Sequence, residues 1–159
     1  MREISIDRIQ PQHIDEVKIL LTSDEPAYRR YFQAFDFQNE AWPLSITAAQ
    51  KDQYWMIRVG QILSGIFMLR GLDKGYAVPA FGVYISQAFA EKGLSKVALN
   101  YSISWCMVNG FKEIMLTVHP DNATAYGLYE KAGFQFAGQY SDKGHVMLKK
   151  KLSPHGDVK

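Results

Sequence analysis

The sequence predicts an α/β or α+β domain built on one mixed β-sheet with helices packed against it. Short apolar runs with the period-two alternation of strands are interspersed with segments whose apolar residues recur at helical spacing. The length of 159 residues is typical of one domain, and a hydrophobic content of 47% is enough for one packed core. We therefore expect residues 1–152 to form a single domain and residues 153–159 to form a disordered tail.

The N-terminal third predicts a strand, a helix and an aromatic segment. Ile4 and Ile6 alternate with polar residues, which is typical of a short strand, and residues 14–21 carry apolar side chains at helical spacing. Residues 26–55 lose clear periodicity but are dense in aromatic side chains. This aromatic segment serves either as core packing or as the wall of a pocket.

The middle of the chain predicts three strands followed by a long helix. Residues 54–59 and 62–69 flank a Gly-Gln pair at 60–61, which favours a hairpin, and residues 81–85 form a further strand. After this strand, apolar residues recur at spacings of alternately four and three positions, which is typical of the face of a helix that packs on a sheet. That predicted stripe comprises Leu94, Ala98, Tyr101, Trp105 and Val108. Gly110 ends the helix, because glycine adopts the left-handed conformation at low cost.

The C-terminal third predicts a strand, a short helix and two closing strands. Residues 114–118 are an apolar strand, and Gly133 stops the helix that follows. The inner face of that helix comprises Ala125, Leu128, Tyr129 and Ala132. Phe136 and residues 146–148 belong to the closing strands, with a polar loop between them.

Composition and charge exclude several classes of protein. The 18 Lys and Arg against 16 Asp and Glu leave a net charge of +2, so we expect no nucleic-acid partner. The N-terminus is charged and no run approaches about 18 apolar residues, so we expect a cytoplasmic protein with no membrane contact. Cys106 lies among apolar neighbours and is interpreted as a buried core thiol rather than a nucleophile. We predict no metal site.

A first candidate binding feature is the loop between the strand at 81–85 and the long helix. A helix start presents unpaired backbone N–H groups and a partial positive charge, which suits a pyrophosphate. Gly93 lets the chain turn closely around phosphates, and Ser95 adds a hydroxyl donor. Lys92 and Lys96 flank the loop and can reach phosphate oxygens. Taken alone, this feature is more typical of a plain loop than of a phosphate site.

A second feature, at residues 122–134, is more specific. It resembles the GNAT (GCN5-related N-acetyltransferase) pattern Asn-x-x-Ala-x-x-Leu-Tyr-x-Lys-x-Gly-Phe. The matching residues are Asn122, Ala125, Leu128, Tyr129, Lys131, Gly133 and Phe134. The resemblance is specific from about residue 81 to residue 134 and implies a mixed central sheet flanked by helices. In that fold the fourth and fifth strands splay apart, leaving a V-shaped slot for the pantetheine arm of acetyl-CoA.

The resemblance implies a set of cofactor-binding residues. Residues 81–85 become the fourth strand, with backbone groups that bond the pantetheine amides. The family's phosphate signature falls on residues 90–95 and differs at two of its three marked positions, because Ala90 lacks a long polar side chain and Ser95 replaces a small glycine or alanine. We therefore assign the phosphates mainly to the backbone amides from Lys92 to Lys96. The implied cofactor-binding residues are Val83, Ile85, Glu91, Lys92, Gly93, Leu94, Ser95, Lys96, Asn122, Tyr129 and Lys131.

The resemblance also implies how an acetyl group would move to an amine. Tyr129 would protonate the departing thiolate, and the backbone amide of Val83 would bond the oxyanion. Many family members carry a glutamate on or just before the fourth strand, whereas residues 78–85 hold no carboxylate here. His119 is the nearest titratable candidate for the base, with a helix-entry or surface role as its alternative. Tyr84 and Tyr76 could instead hold a water chain.

The acceptor in this family lies against the early helices, which here means the aromatic segment at 26–55. Asp36, Glu40 and Asp52 could pair with an ammonium group there, so a small amine, an amino sugar or a peptide α-amine would all fit. A longer acyl group is a further possibility, since the slot depth would be set at Ile66, Met68 and Leu116. A non-catalytic acyl-CoA sensor is the alternative function, and an exposed sheet edge permits a homodimer.

Overall fold

The computed structural model describes residues 1–152, so the tail at 153–159 for which we predict disorder lies outside the described residues. The strands are β1 (Ile4–Arg8), β2 (Gln53–Val59), β3 (Ile62–Arg70), β4 (Ala80–Ile85), β5 (Glu113–Val118), β6 (Gln135–Gln139) and β7 (Val146–Lys151). The helices are α1 (Ile14–Ser23), α2 (Pro26–Arg29), α3 (Leu44–Thr47), α4 (Leu94–Val108) and α5 (Ala123–Lys131). Residues 11–13 and 87–89 form 3₁₀ turns. Within residues 1–152, no helix is long and apolar enough to cross a membrane.

The strands form one sheet in the order β1-β2-β3-β4-β5-β7-β6. Every neighbouring pair is antiparallel except β4 and β5, which run parallel. The predicted hairpin between β2 and β3 is confirmed, and Gly60 in its turn has a φ of 59°. The mixed sheet flanked by helices confirms the predicted fold class, because local alternation and turn chemistry agree with the pairing.

One face of the sheet is covered by α4 and α5. The predicted length of α4 is confirmed, but its predicted apolar stripe is only partly correct. Tyr101 is 40% exposed and Val108 is 85% exposed, whereas Leu94 and Ala98 are buried. The remaining buried side chains of α4 are Leu99, Ser102 and Cys106. The buried face is thus rotated from the predicted one, and Tyr101 reaches Trp55 and Phe67 only with its ring edge. Cys106 is fully buried, and burial raises the pKa of its thiol to about 12, as expected for a core cysteine.

The other face is covered by α1 and the aromatic segment. Val17 and Leu21 of α1 are buried against this face. Within the aromatic segment, Phe35 packs on Trp42 at 4.9 Å between ring centroids and on Tyr54 at 6.3 Å, and all three are buried. Core packing is therefore the role of these three rings, which hold the segment against β2, β3 and β4.

Candidate active site

A gap separates β4 from β5 over most of their length. The two strands are in register at a single pair, Ala80 with Met115, and the amide of Met115 donates to the carbonyl of Pro79 at 3.0 Å. Beyond this pair the two strands have no pairing with each other. Parallel strands 4.7–4.9 Å apart would continue their ladder, so these strands diverge toward their carboxyl ends. The splayed pair that the family resemblance implies is therefore present.

Backbone groups of β4 face this gap. The amide of Ser86 donates to the carbonyl of Ser64 at 2.9 Å, which shows that even-numbered residues of β4 bond β3. Because bonding direction alternates along a strand, the N–H and C=O groups of Val83 and Ile85 point toward β5. The carbonyl of Ile85 accepts the hydroxyl of Tyr28 at 2.6 Å, while β5 offers Val83 no partner. The two residues assigned to the pantetheine arm thus present their amides to the gap.

The predicted phosphate loop follows β4 directly. Gly93, just before α4, has a φ of 84°, and Glu91 also has a positive φ of 61°, which is uncommon for a residue with a side chain. No side chain caps α4, so the first-turn amides, which include those of Leu94 and Ser95, keep no helical partner. A Cβ on Gly93 would meet nothing within 4 Å, so glycine is needed there for its conformation. Lys92 and its neighbour Lys96 are both exposed.

Tyr129 lies on α5, the helix that follows β5, yet its ring reaches β4. The ring is 7% exposed, packs edge-on against Phe81 at 6.3 Å, and is tilted against Phe134 at 6.0 Å. Burial raises the pKa of Tyr129 well above its usual value, so the phenol keeps its proton at neutral pH. Burial is the whole cause of this raised pKa, and no hydrogen bond or neighbouring charge contributes to it. This places a proton donor beside the slot strand β4.

Asn122 and Lys131 lie at opposite ends of α5. Asn122 is the N-cap residue of α5, but its side chain makes no capping hydrogen bond, so the motif residue does not act here as a side-chain cap. Its side chain is half-buried in the turn between β5 and α5. Lys131 is exposed in the last turn, about 13 Å along the helix from Asn122 at 1.5 Å per residue. The structure therefore does not bring these two residues together.

The predicted acceptor carboxylates are not gathered at the gap. Asp52 accepts the amides of Leu72 at 2.7 Å and Asp73 at 3.0 Å, beside the end of the sheet where β4 and β5 are paired. Asp36 accepts the amide of Gln38 at 3.1 Å, and Glu40 is exposed. Asp52 holds two loops together, because backbone amides occupy its oxygen.

Sequence reasoning missed Asp24, which follows α1. Its Oδ2 accepts the hydroxyl of Tyr84 and, at 3.0 Å, the amide of Gln87, both at the open end of the gap. Burial and the carboxylate of Asp24 raise the pKa of Tyr84. Asp24 and Tyr84 are 60 positions apart in the sequence, so no local pattern indicated this contact. Tyr76 is 66% exposed in the β3–β4 loop before the paired end of β4, so it does not join Tyr84 in a water chain.

His119 lies immediately after β5. Its Nδ1 accepts the amide of Asp121 at 3.1 Å, and its ring stacks on Tyr31 at 5.3 Å between centroids. Tyr31 belongs to the aromatic segment, so this stack joins that segment to the open end of β5. Residues 1–152 contain no group of three or more His, Cys, Asp or Glu side chains placed to hold a metal ion.

The residues proposed to set the slot depth are divided between the two faces of the sheet. Ile66 and Met68 belong to the cluster beneath α1 and the aromatic segment, whereas Leu116 belongs to the cluster beneath α4 and α5. Because neighbouring side chains of a strand point to opposite faces, these three residues do not line one pocket.

Comparisons with known proteins agree with this geometry. A model of the acetyltransferase (GNAT) family matches residues 16–134. The spermidine N-acetyltransferase of Vibrio cholerae, solved with CoA and spermine, is 16% identical over 93% of this chain and 95% of its own, with a TM-score of 0.74. The ribosomal-protein-S18-alanine N-acetyltransferase of Escherichia coli is 15% identical over 98% and 97%, also with a TM-score of 0.74. A GNAT-family acetyltransferase of Staphylococcus aureus is 16% identical over 95% and 100%, with a TM-score of 0.76.

At these identities the structural likeness supports the fold alone. No curated protein sequence gives a significant match. The family match covers well over half of the 159 residues and includes both the phosphate loop and the Tyr129 motif. The chain belongs to the acetyltransferase (GNAT) family.

Proposed function

We propose that this protein is an N-acetyltransferase that moves an acetyl group from acetyl-CoA to a primary amine by direct attack. The observation that carries the proposal is the gap between β4 and β5, which are paired only through Ala80 and Met115. An unpaired strand edge inside a sheet leaves backbone amides without partners, and an extended amide-containing arm such as pantetheine can satisfy them.

The phosphate loop fits the other end of the same molecule. The amides from Lys92 to Lys96 surround the start of α4, where the helix dipole favours negative charge. Lys92 and Lys96 add positive charge from exposed positions. The carboxylate of Glu91 is the one unfavourable charge in this loop, and the positive φ of Glu91 suggests that its backbone matters more than its side chain.

The chemistry then uses groups on both sides of the gap. The amide of Val83 bonds the carbonyl oxygen as negative charge develops on it. Tyr129 gives its proton to the sulfur as coenzyme A leaves, because burial keeps that phenol protonated. A base must take a proton from the acceptor, since a primary amine is mostly protonated at pH 7.

Asp24 is the carboxylate we assign to the acceptor. It lies at the open end of the gap, and Tyr28 and Tyr84 provide aromatic walls beside it, with ring centroids 6.1 Å apart. A carboxylate beside aromatic rings suits an ammonium group. Two structural relatives are named for the acetylation of spermidine and of the alanine of a ribosomal protein. We therefore propose a small-molecule or peptide amine as acceptor.

Replacing Asp24 by asparagine is expected to raise the KM for the amine about tenfold, the cost of one lost charge-assisted contact. Asparagine keeps an oxygen that can accept from Tyr84 and Gln87, so the local structure is preserved. Initial rates at varied amine concentration measure the effect, and Glu25→Gln, which changes the exposed neighbouring carboxylate, is the control. An unchanged KM in Asp24→Asn would remove Asp24 from the acceptor site.

The proposed function is tested by thiol release from acetyl-CoA in the presence of spermidine, glucosamine and a peptide with an N-terminal alanine. Turnover with at least one amine, above the rate with acetyl-CoA alone, supports the enzyme. Calorimetric titration with acetyl-CoA measures binding in parallel. Tight binding with no turnover on any amine would favour the non-catalytic sensor, and absence of both would contradict the assignment of the slot.

A further inference from the structure

His145 is a buried histidine whose ring accepts no hydrogen bond. It directly precedes β7 and is 6% exposed, and within residues 1–152 neither Nδ1 nor Nε2 accepts a hydrogen bond, while the backbone of Tyr31 lies beside the ring as an acceptor. The hydroxyl of Ser141, in the same loop, is also buried and unpartnered. Buried polar atoms are nearly always hydrogen-bonded in folded proteins, so a buried imidazole nitrogen that accepts nothing is an exception, and such exceptions are found at functional groups.

The position of His145 relates it to the gap. Val118 of β5 pairs with Val146 of β7, so the next residue of β5 and the preceding residue of β7, His119 and His145, lie side by side. Their rings meet edge-on at 5.3 Å between centroids. Both valines face α4 and α5, and alternation directs the two histidines to the other face, where Tyr31 stacks on His119. This is the face that carries Asp24 and Tyr84.

His119 is less suited than His145 to accept a proton. A neutral imidazole has one nitrogen that donates and one that accepts. The Nδ1 of His119 already accepts the amide of Asp121 at 3.1 Å, so its Nε2 carries the proton. His145 accepts no hydrogen bond on either nitrogen, and its contact with the backbone of Tyr31 is one that the ring donates, so one lone pair is free.

We infer that His145, rather than His119, takes the proton from the acceptor ammonium, with His119 as a positioning residue. The inference rests on the proposed function. The ammonium gives one proton to the free nitrogen of His145, and this proton later passes to solvent. The neutral nitrogen then forms the C–N bond as the C–S bond breaks. The second proton leaves that nitrogen and replaces the one that Tyr129 gives to sulfur, so coenzyme A departs as a thiol.

The surroundings of His145 keep its imidazole neutral, which is the protonation state that a general base needs. The pKa of His145 lies below the ordinary value of 6.5, chiefly because the ring is buried. His119 and Lys143 also lower this pKa, whereas the hydrogen bond with the backbone of Tyr31 raises it. Asp121 lies beyond His119, with its carboxylate 3.8 Å from that ring. His145 is therefore neutral at pH 7 and becomes protonated only as the pH falls through its lowered pKa, so kcat/KM falls in that same window.

The test compares His145→Gln with His119→Gln in kcat/KM against pH, using whichever amine of the panel wild type acetylates best. We expect His145→Gln to lower kcat about 100-fold and to abolish the acidic inflection, because glutamine does not titrate. We expect His119→Gln to keep kcat within about fivefold and to retain the acidic inflection, because His145 still titrates in that variant. A retained inflection or nearly wild-type kcat in His145→Gln would overturn the inference.

Two further measurements separate this inference from folding and from the proposed function. The unfolding midpoint and the acetyl-CoA Kd of each variant report its folding. If His145→Gln does not fold, NMR titration of the wild-type His145 ring decides: a pKa equal to the kinetic inflection supports the role, and a different pKa contradicts it. If wild type acetylates no amine, the proposed function fails and this inference fails with it. If wild type and His145→Gln turn over alike, this inference alone fails.

Discussion

Tyr129→Phe is expected to lower kcat about 100-fold, the usual contribution of a positioned general acid, while the Kd for acetyl-CoA stays within about threefold of wild type. Phenylalanine keeps the edge-on packing against Phe81 and the contact with Phe134, so only the hydroxyl is lost. Thiol release at saturating substrate measures kcat, and calorimetry measures binding. Because burial raises the pKa of Tyr129, we expect its ionisation to leave the rate unaffected between about pH 6 and 9.

Tyr126→Phe is the matched control for this experiment. Tyr126 lies on the same helix, one turn earlier, and is half-buried. Removing its hydroxyl changes the helix surface equally but leaves Tyr129 in place, so wild-type kcat is expected. Equal activity of Tyr129→Phe and wild type would show that another group protonates the thiolate.

Phe67→Ala is expected to lower the free energy of unfolding by about 3–5 kcal/mol, the usual cost of removing a buried aromatic side chain and leaving a cavity. Phe67 is fully buried in the centre of the sheet, stacks on Trp55 at 5.1 Å and pairs with Val83 of β4 in register. Its loss would therefore weaken the strand that presents backbone amides to the slot. Urea denaturation followed by circular dichroism measures the change.

Phe136→Ala makes the same chemical change at an exposed site. Phe136 lies on the edge strand β6 and is 63% exposed, so its truncation is expected to change the free energy of unfolding by no more than about 0.5 kcal/mol. Comparable losses in the two variants would mean that Phe136 is covered in solution, as a homodimer formed through this sheet edge would cover it.

Much of the fold was accessible from local patterns. The hairpin at Gly60, the stops at Gly110 and Gly133, and the strands around them are set by residues close together in the chain, and all were confirmed. The stripe on α4 was less accurate, because a helix rich in apolar residues on several sides does not show which side meets the sheet. Tyr101 and Val108 were assigned inward and are exposed.

The residues of the candidate site also fall into those that local sequence indicated and those that it did not. Gly93 and Tyr129 stood out because each belongs to a motif contained within about a dozen residues. Asp24 and His145 did not, because their importance depends on contacts with residues far away along the chain, Tyr84 for one and His119 for the other. Asp52 was assigned to the acceptor from its residue type, yet it binds the loop after β3, at the end of the sheet away from the open gap.

Residue order alone was enough to specify the family, the succession of strands and helices, and the two cofactor motifs, since each depends on spacing between near neighbours. Which polar groups share a site was settled by folding. A sheet with order β1-β2-β3-β4-β5-β7-β6 brings the end of α1 to β4 and the start of β7 to the end of β5. Such long-range contacts depend on how the apolar faces pack, so they cannot be predicted from any short stretch of sequence.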